Sequence, residues 1–211
     1  MRKPILSVLF ALSLAVLSAS AGDAPGKVAP AGKASGAEAP GGKPGMRAYI
    51  CDSALSTITF KAIHPFATVH GVSHAPACTV WVNPDTTEFL VHASARARSF
   101  KTGNGLRDSH AMKAVEADKF PLVTFTSKTV KPKDGKVGPY SLAGDLTFHG
   151  ETRPIEAAAK PEIKDGKAVV RGSFPVSFKE YKVTPPSLMG AKARDTLTLS
   201  FDLVFDLSGA K

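Results

Sequence analysis

The sequence predicts an all-β domain, an antiparallel barrel of about eight strands with one short helix. Three observations lead there. Apolar residues alternate with period two through six separate stretches. Turn-forming clusters lie between those stretches, and a single segment interrupts the alternation with helix formers.

In chain order, Ile58, Phe60 and Ala62 open the series on one face of a strand. The first hairpin, Phe60 to Val82, follows; it is rich in His and carries Cys78. FLVHASARAR places Phe89, Val91, Ala93, Ala95 and Ala97 together. Gly103-Asn104-Gly105 is a natural strand exit, and Leu106 to Ala117 reads as the helix, ending before Phe120-Pro121. FPLVTFTSKTV contributes Val123 and Phe125; SLAGDLTFHG contributes Leu142, Gly144, Leu146 and Phe148. In AVVRGSFPVSF, Ala168, Val170 and Gly172 share a face with Phe174, Val176 and Phe178. The last strand is the clearest: Leu197, Leu199, Phe201, Leu203, Phe205 and Leu207 oppose Thr198, Ser200, Asp202 and Asp206. Turns are expected at Asn83-Pro84-Asp85, Lys133-Asp134-Gly135, His149-Gly150-Glu151 and Lys164-Asp165-Gly166. Antiparallel strands with one apolar face each must close into a barrel or stack as a sandwich. One helix inserted midway through such a meander is a lipocalin-like layout.

The ends of the chain read differently. Arg2 and Lys3, then the apolar run Ile5 to Leu17, then Ala19-Ser20-Ala21 have the form of a secretory signal over residues 1–21. Its apolar run is too short for the roughly 20 residues a bilayer span needs. Residues 22–47 are dominated by Gly, Pro and Ala, with Val28 and Met46 the only large apolar residues, and read as a flexible tether. Residues 48–211 remain as one domain. The expected location is periplasmic or secreted, with no transmembrane segment once the signal is cleaved.

Composition narrows the function. With 43% hydrophobic and 21% charged residues, the chain is neither disordered nor coiled coil, and two Cys in 211 residues build no disulfide scaffold. Of the formal charge of +9, the domain holds 21 Lys and Arg against 16 Asp and Glu, a balance of +5. These charges are scattered among apolar residues, as on a solvated sheet face, and form no nucleic-acid-binding stripe. A basic balance still favours an anionic ligand or surface. No G-x-S-x-G, H-E-x-x-H or P-loop is present, and Gly103-x-Gly105 lacks a third glycine because position 108 is Asp. The expectation is a container without a cofactor, not an enzyme. Small residues recur on the apolar faces: Ala93, Ala95, Ala97, Gly144, Ala157, Ala159 and Gly172. They either relieve crowding in a filled barrel or leave volume for a ligand.

Two blocks carry a family resemblance. The first is SFKTGNGLRDSHAMKAVEADKFPLVTFTS (99–127), with Arg107-Asp108-x-His110 on the helix, Asp118-Lys119-Phe120-Pro121, and Thr124-Phe125-Thr126-Ser127. The second is LAGDLTFHGETRPIEAAAK (142–160), with Gly144-Asp145-Leu146-Thr147-x-x-Gly150-x-Thr152-x-Pro154. Together they resemble the YceI-like family of exported, lipocalin-like proteins associated with polyisoprenoid or other long-chain lipids, over about residues 48–208. The resemblance implies an apolar tunnel holding one extended chain. Phe60, Phe125, Leu146 and Phe148 would then line the ligand site with Phe174, Phe178, Phe201 and Phe205, and a polar head would rest near Arg107, Asp108 and His110.

That polar cluster has two readings. Arg107 and Asp108 either dock the helix on the sheet, or Arg107 with His110 meets a ligand phosphate or carboxylate at the barrel mouth, where its planar fork binds such groups bidentately. Arg96, Arg98 and Lys101 either extend a positive rim or form the solvent face of their strand. His64, His70 and His74 are evenly spaced, but Pro65 interrupts them and no carboxylate completes a metal site. A haem or metal carrier is therefore the weakest alternative, behind a filled barrel that serves as an envelope interaction or stress module. Cys51 and Cys78 are equidistant from a fold about His64-Pro65, and in an oxidising compartment they are expected to form a disulfide, provided the strand alternation breaks between Asp52 and Ser56. Otherwise they are two separate buried thiols.

Overall fold

The computed structural model describes residues 41–85, 88–132, 139–188 and 190–208. The signal, most of the tether and the expected turn at Lys133 to Gly135 lie outside these residues. Twelve strands are present: β1 (Arg47–Ile50), β2 (Thr57–His64), β3 (Ala67–Ser73), β4 (Ala77–Val82), β5 (Phe89–Arg96), β6 (Leu122–Pro132), β7 (Tyr140–Phe148), β8 (Glu151–Lys164), β9 (Lys167–Ser177), β10 (Ser187–Leu188), β11 (Ala191–Lys192) and β12 (Thr196–Asp206). One helix, α1 (Gly105–Ala114), follows a single 3-10 turn at Ala97–Ser99.

Ten strands form one antiparallel sheet in the order β1-β4-β5-β6-β7-β8-β9-β12-β2-β3, and β10 pairs only with β11. The sheet curls until its edges are met by isolated bridges, Cys51 with Phe205 and Val72 with Lys101. The sheet has two strands more than the expected eight, and one of the two is β1, from the segment before residue 57. In Arg47-Ala48-Tyr49-Ile50 the apolar Ile50 is 57% exposed while Tyr49 packs inward, so the sequence pattern does not mark the core face, yet the segment pairs in register with β4. The tether's final residues also belong to the domain: Gly42 lies against the Trp81 indole, and Lys43 pairs with Glu88.

Two of the expected turns are two-residue hairpin turns. His149 and Gly150 have φ of 51° and 76°, and Asp165 and Gly166 have 51° and 73°; positive φ at both central positions matches the right-handed twist of the strands. At Asn83 the side-chain Oδ1 accepts from Asp85 N at 2.9 Å, an Asx turn. The helix is shorter than Leu106 to Ala117. Asn104 caps its start, Oδ1 accepting from Arg107 N at 3.0 Å. It stops at Ala114 because Glu116 turns left-handed at φ 44°.

Inward and outward faces separate as period two requires. Outside, Arg171 bridges Asp202 and Glu162 at 2.8 and 2.9 Å, and Lys128 meets Asp145 at 2.7 Å. Inside are two buried clusters. One gathers Leu146, Val176, Phe178, Tyr181, Val183 and Leu197, with Val115 of the helix segment packed on it. The other gathers Cys51, Cys78, Leu203 and Phe205.

Candidate functional site

A cavity of about 560 Å³ occupies the barrel interior. Its wall is built by alternation: Phe60, Phe125, Leu146 and Phe148 line it, as do Phe174, Phe178, Phe201 and Phe205. Toward α1 it reaches His64, Thr102, Asn104, Arg107 and His110, and toward the opposite end Cys78, Leu203 and Phe205.

The inward Phe rings do not fill this space. Phe60 lies opposite Gly71 across the β2–β3 pair, and a Cβ on Gly71 would sit 2.2 Å from that ring. Phe201 lies opposite Gly172, where a Cβ would come within 2.4 Å of the ring. The Phe125 ring lies over Gly144, where a Cβ would come within 2.7 Å. Each ring therefore lies against a glycine of the neighbouring strand. Phe60, Phe125, Phe148, Phe174 and Phe201 point inward yet are only half-buried, so their remaining exposure is to the cavity. Ala93, Ala95, Ala97 and Ala157 widen the same wall. The alanines leave room in the lumen, while Gly144 and Gly172 make way for the Phe rings beside them.

At the helix end the polar cluster divides. Asp108 Oδ1 accepts from Thr102 N at 2.9 Å and from Thr102 Oγ1 at 2.5 Å. That hydrogen bond from the Thr102 hydroxyl holds its carboxyl below the ordinary carboxylate range. Asp108 is not in the cavity wall; it docks the helix. Arg107 does both: Nε and Nη2 donate to Thr102 Oγ1 and O at 2.9 and 2.8 Å, and the side chain also lines the cavity with His110. The sequence reading missed Leu106, Pro186, Ser187 and Ala193, which complete the opening. The last three lie in a segment with no periodicity to read. Arg98 pairs with Asp118, away from the cavity.

His149 secures the other end of the helix segment. Its Nε2 is 2.8 Å from Glu116 Oε2 and its Nδ1 is 2.9 Å from Tyr181 O. The ring also packs on Phe120, centroids 4.6 Å apart. His64 Nε2 meets Ala191 O at 3.0 Å, and no group of three His, Cys, Asp or Glu gathers to hold a metal among the described residues. None of the described helices is long and apolar enough to cross a membrane.

The expected disulfide is absent: Cys51 and Cys78 are free thiols, both buried. They face each other, but through β1–β4 pairing and not through the β2–β3 hairpin. The alternation does break between Asp52 and Ser56. Cys51 N donates to Cys78 O at 2.9 Å, which marks a hydrogen-bonded ladder pair. The Cys51 thiol instead donates to Pro76 O at 3.8 Å. Burial pushes both thiols up, so neither is a nucleophile at neutral pH.

The family model described as the YceI-like domain matches residues 49–205. A 73-residue stretch is 40% identical to a UPF0312 protein of Vibrio vulnificus, covering 33% of this chain and 37% of that protein. A 72-residue stretch is 38% identical to Protein YceI of Shigella flexneri, covering 33% and 36%. The chain thus spans little more than a third of the length of these relatives. Among solved structures, Burkholderia cenocepacia BcnA superposes with a TM-score of 0.66 at 18% identity, over 73% of this chain and 98% of that one. A polyisoprenoid binding domain from Saccharophagus degradans, implicated in plant cell wall breakdown, gives 0.57 at 13%, over 75% and 97%. At these identities the likeness is one of fold.

Proposed function

The chain belongs to the YceI-like domain family, and from that premise we propose that it is an exported carrier, not an enzyme, whose barrel holds one long apolar chain. A polyisoprenoid is the first candidate cargo and a fatty-acyl lipid the second. The observation that carries this reading is the hollow lumen, with Phe60, Phe125 and Phe201 laid on glycines. Such a wall solvates an extended chain, and each buried methylene contributes about 0.8 kcal/mol. The polyisoprenoid binding domain that shares the fold supports the choice of cargo. The polar head of the ligand rests at the helix end, where Arg107 keeps N–H donors beyond those given to Thr102, beside His110.

Native mass spectrometry on protein secreted through its own signal, followed by solvent extraction, tests the reading. A stoichiometric adduct released by organic solvent is expected. A mass that stays bare after incubation with isoprenoid alcohols and with fatty acids would overturn it. Phe125→Arg puts an unpaired charge into the lumen and is expected to abolish uptake.

A further inference from the structure

The opening of the cavity has a rim made of three segments: the β2–β3 tip (61–70), the approach to α1 (101–110), and the β10–β11 region (186–194). They are joined by His64 Nε2 to Ala191 O at 3.0 Å and by Arg194 N to Ile63 O at 2.8 Å, with Lys101 bridged to Val72 of β3. Two large apolar side chains stand out from this rim, Phe66 at 62% exposure and Leu106 at 70%. They are the most exposed large apolar residues among those described. The same three segments hold Lys61, Lys101, Arg107, Lys192 and Arg194 against a single acid, Asp108, whose carboxylate is engaged by Thr102. Turn and strand-end residues at the opposite end carry both signs, Asp52, Asp165 and Asp206 beside Lys164 and Lys167.

We infer that this rim docks the barrel mouth-first on a bilayer containing anionic phospholipid. The inference builds on the carrier reading, because a long apolar cargo avoids water only if the mouth meets the membrane it leaves. Phe66 and Leu106 enter the interfacial region, and the basic side chains around them meet the lipid phosphates. An apolar protein surface would not call for the ring of cations.

Flotation of the full protein with vesicles of phosphatidylcholine alone, and of phosphatidylcholine mixed with phosphatidylglycerol, tests the inference. Binding is expected to the mixed vesicles only and to weaken as salt rises. Phe66→Asp and, separately, the pair Lys192→Glu with Arg194→Glu each lower that binding about tenfold or more. These three positions are exposed and outside the cavity wall, so uptake of a dispersed isoprenoid alcohol stays at the wild-type level. Absence of wild-type binding to mixed vesicles, or variants that float like wild type, overturns the inference. So does a dimer that Phe66→Asp dissolves with no vesicle binding, which assigns the rim to a second copy. Vesicle binding without isoprenoid uptake leaves docking standing and removes the carrier reading.

Discussion

At the scale of single residues, two buried polar groups make clear predictions. Tyr181 is 1% exposed and its hydroxyl has no hydrogen-bond partner among the described residues; burial pushes its pKa up to about 12. Removing an unsatisfied buried hydroxyl removes only its desolvation penalty. Tyr181→Phe is therefore expected to be neutral or stabilising by up to ~1 kcal/mol, a rise of about 2–4 °C in Tm; a clear fall in Tm would show an unseen partner. His92, bonded through Nδ1 to Thr126 Oγ1 at 3.0 Å, has its pKa lowered by burial. The neutral ring is the folded form, so the unfolded chain takes up the proton first. Stability is full above pH 6.5 and falls as pH drops from there toward the lowered folded value. His92→Asn keeps an atom near the Nδ1 position and should flatten that part of a Tm-against-pH curve.

At the scale of elements, α1 carries no fully buried residue. Its entry is tied to the barrel by Thr102, held by Asp108 and Arg107. Asp108→Ala should speed hydrogen exchange in the α1 amides while the strands keep their protection. Equal protection in both proteins would mean that Val115 and His149 suffice to hold the helix. The β2–β3 hairpin offers a test of the lumen. A Cβ on Gly71 collides only with the Phe60 ring, whereas at Gly144 and Gly172 it also meets backbone oxygens. Gly71→Ala is therefore expected to swing Phe60 into the cavity, weakening a long-chain ligand about tenfold with little change in Tm. Unchanged affinity in a titration would put the ligand away from this wall. The element pattern itself was largely legible: β5, β7, β9 and β12 show one apolar face in sequence, and His149-Gly150 announces its own turn. β1 was not, since its apolar Ile50 faces out and Tyr49 faces in, and it lies where β4 offers it an edge.

At the scale of the whole molecule, barrel closure buries Cys51 and Cys78 beside Leu203 and Phe205. Alkylation of the native protein should leave both thiols unmodified, and alkylation after unfolding without reductant should modify two. Finding none after unfolding would establish a disulfide between them. The curl also assembles the mouth from β2–β3, α1 and β10–β11, segments far apart in the chain. Of the site, the inward Phe and Leu positions were readable because side-chain direction in a strand has a fixed period. Pro186 and Ala193 were not, because irregular segments carry no such period, and Leu106 was not, because α1 buries no face that would mark it.

The sequence by itself determined most strands and turns, the presence of one helix and the family, since each rests on local period, turn chemistry or a contiguous motif. Only the tertiary structure decided that the barrel is hollow. Composition cannot say whether a Phe ring crosses the lumen or lies on the glycine beside it, because that depends on cross-strand register. The same register places Cys51 opposite Cys78, and the approach to the helix gives Asp108 to Thr102.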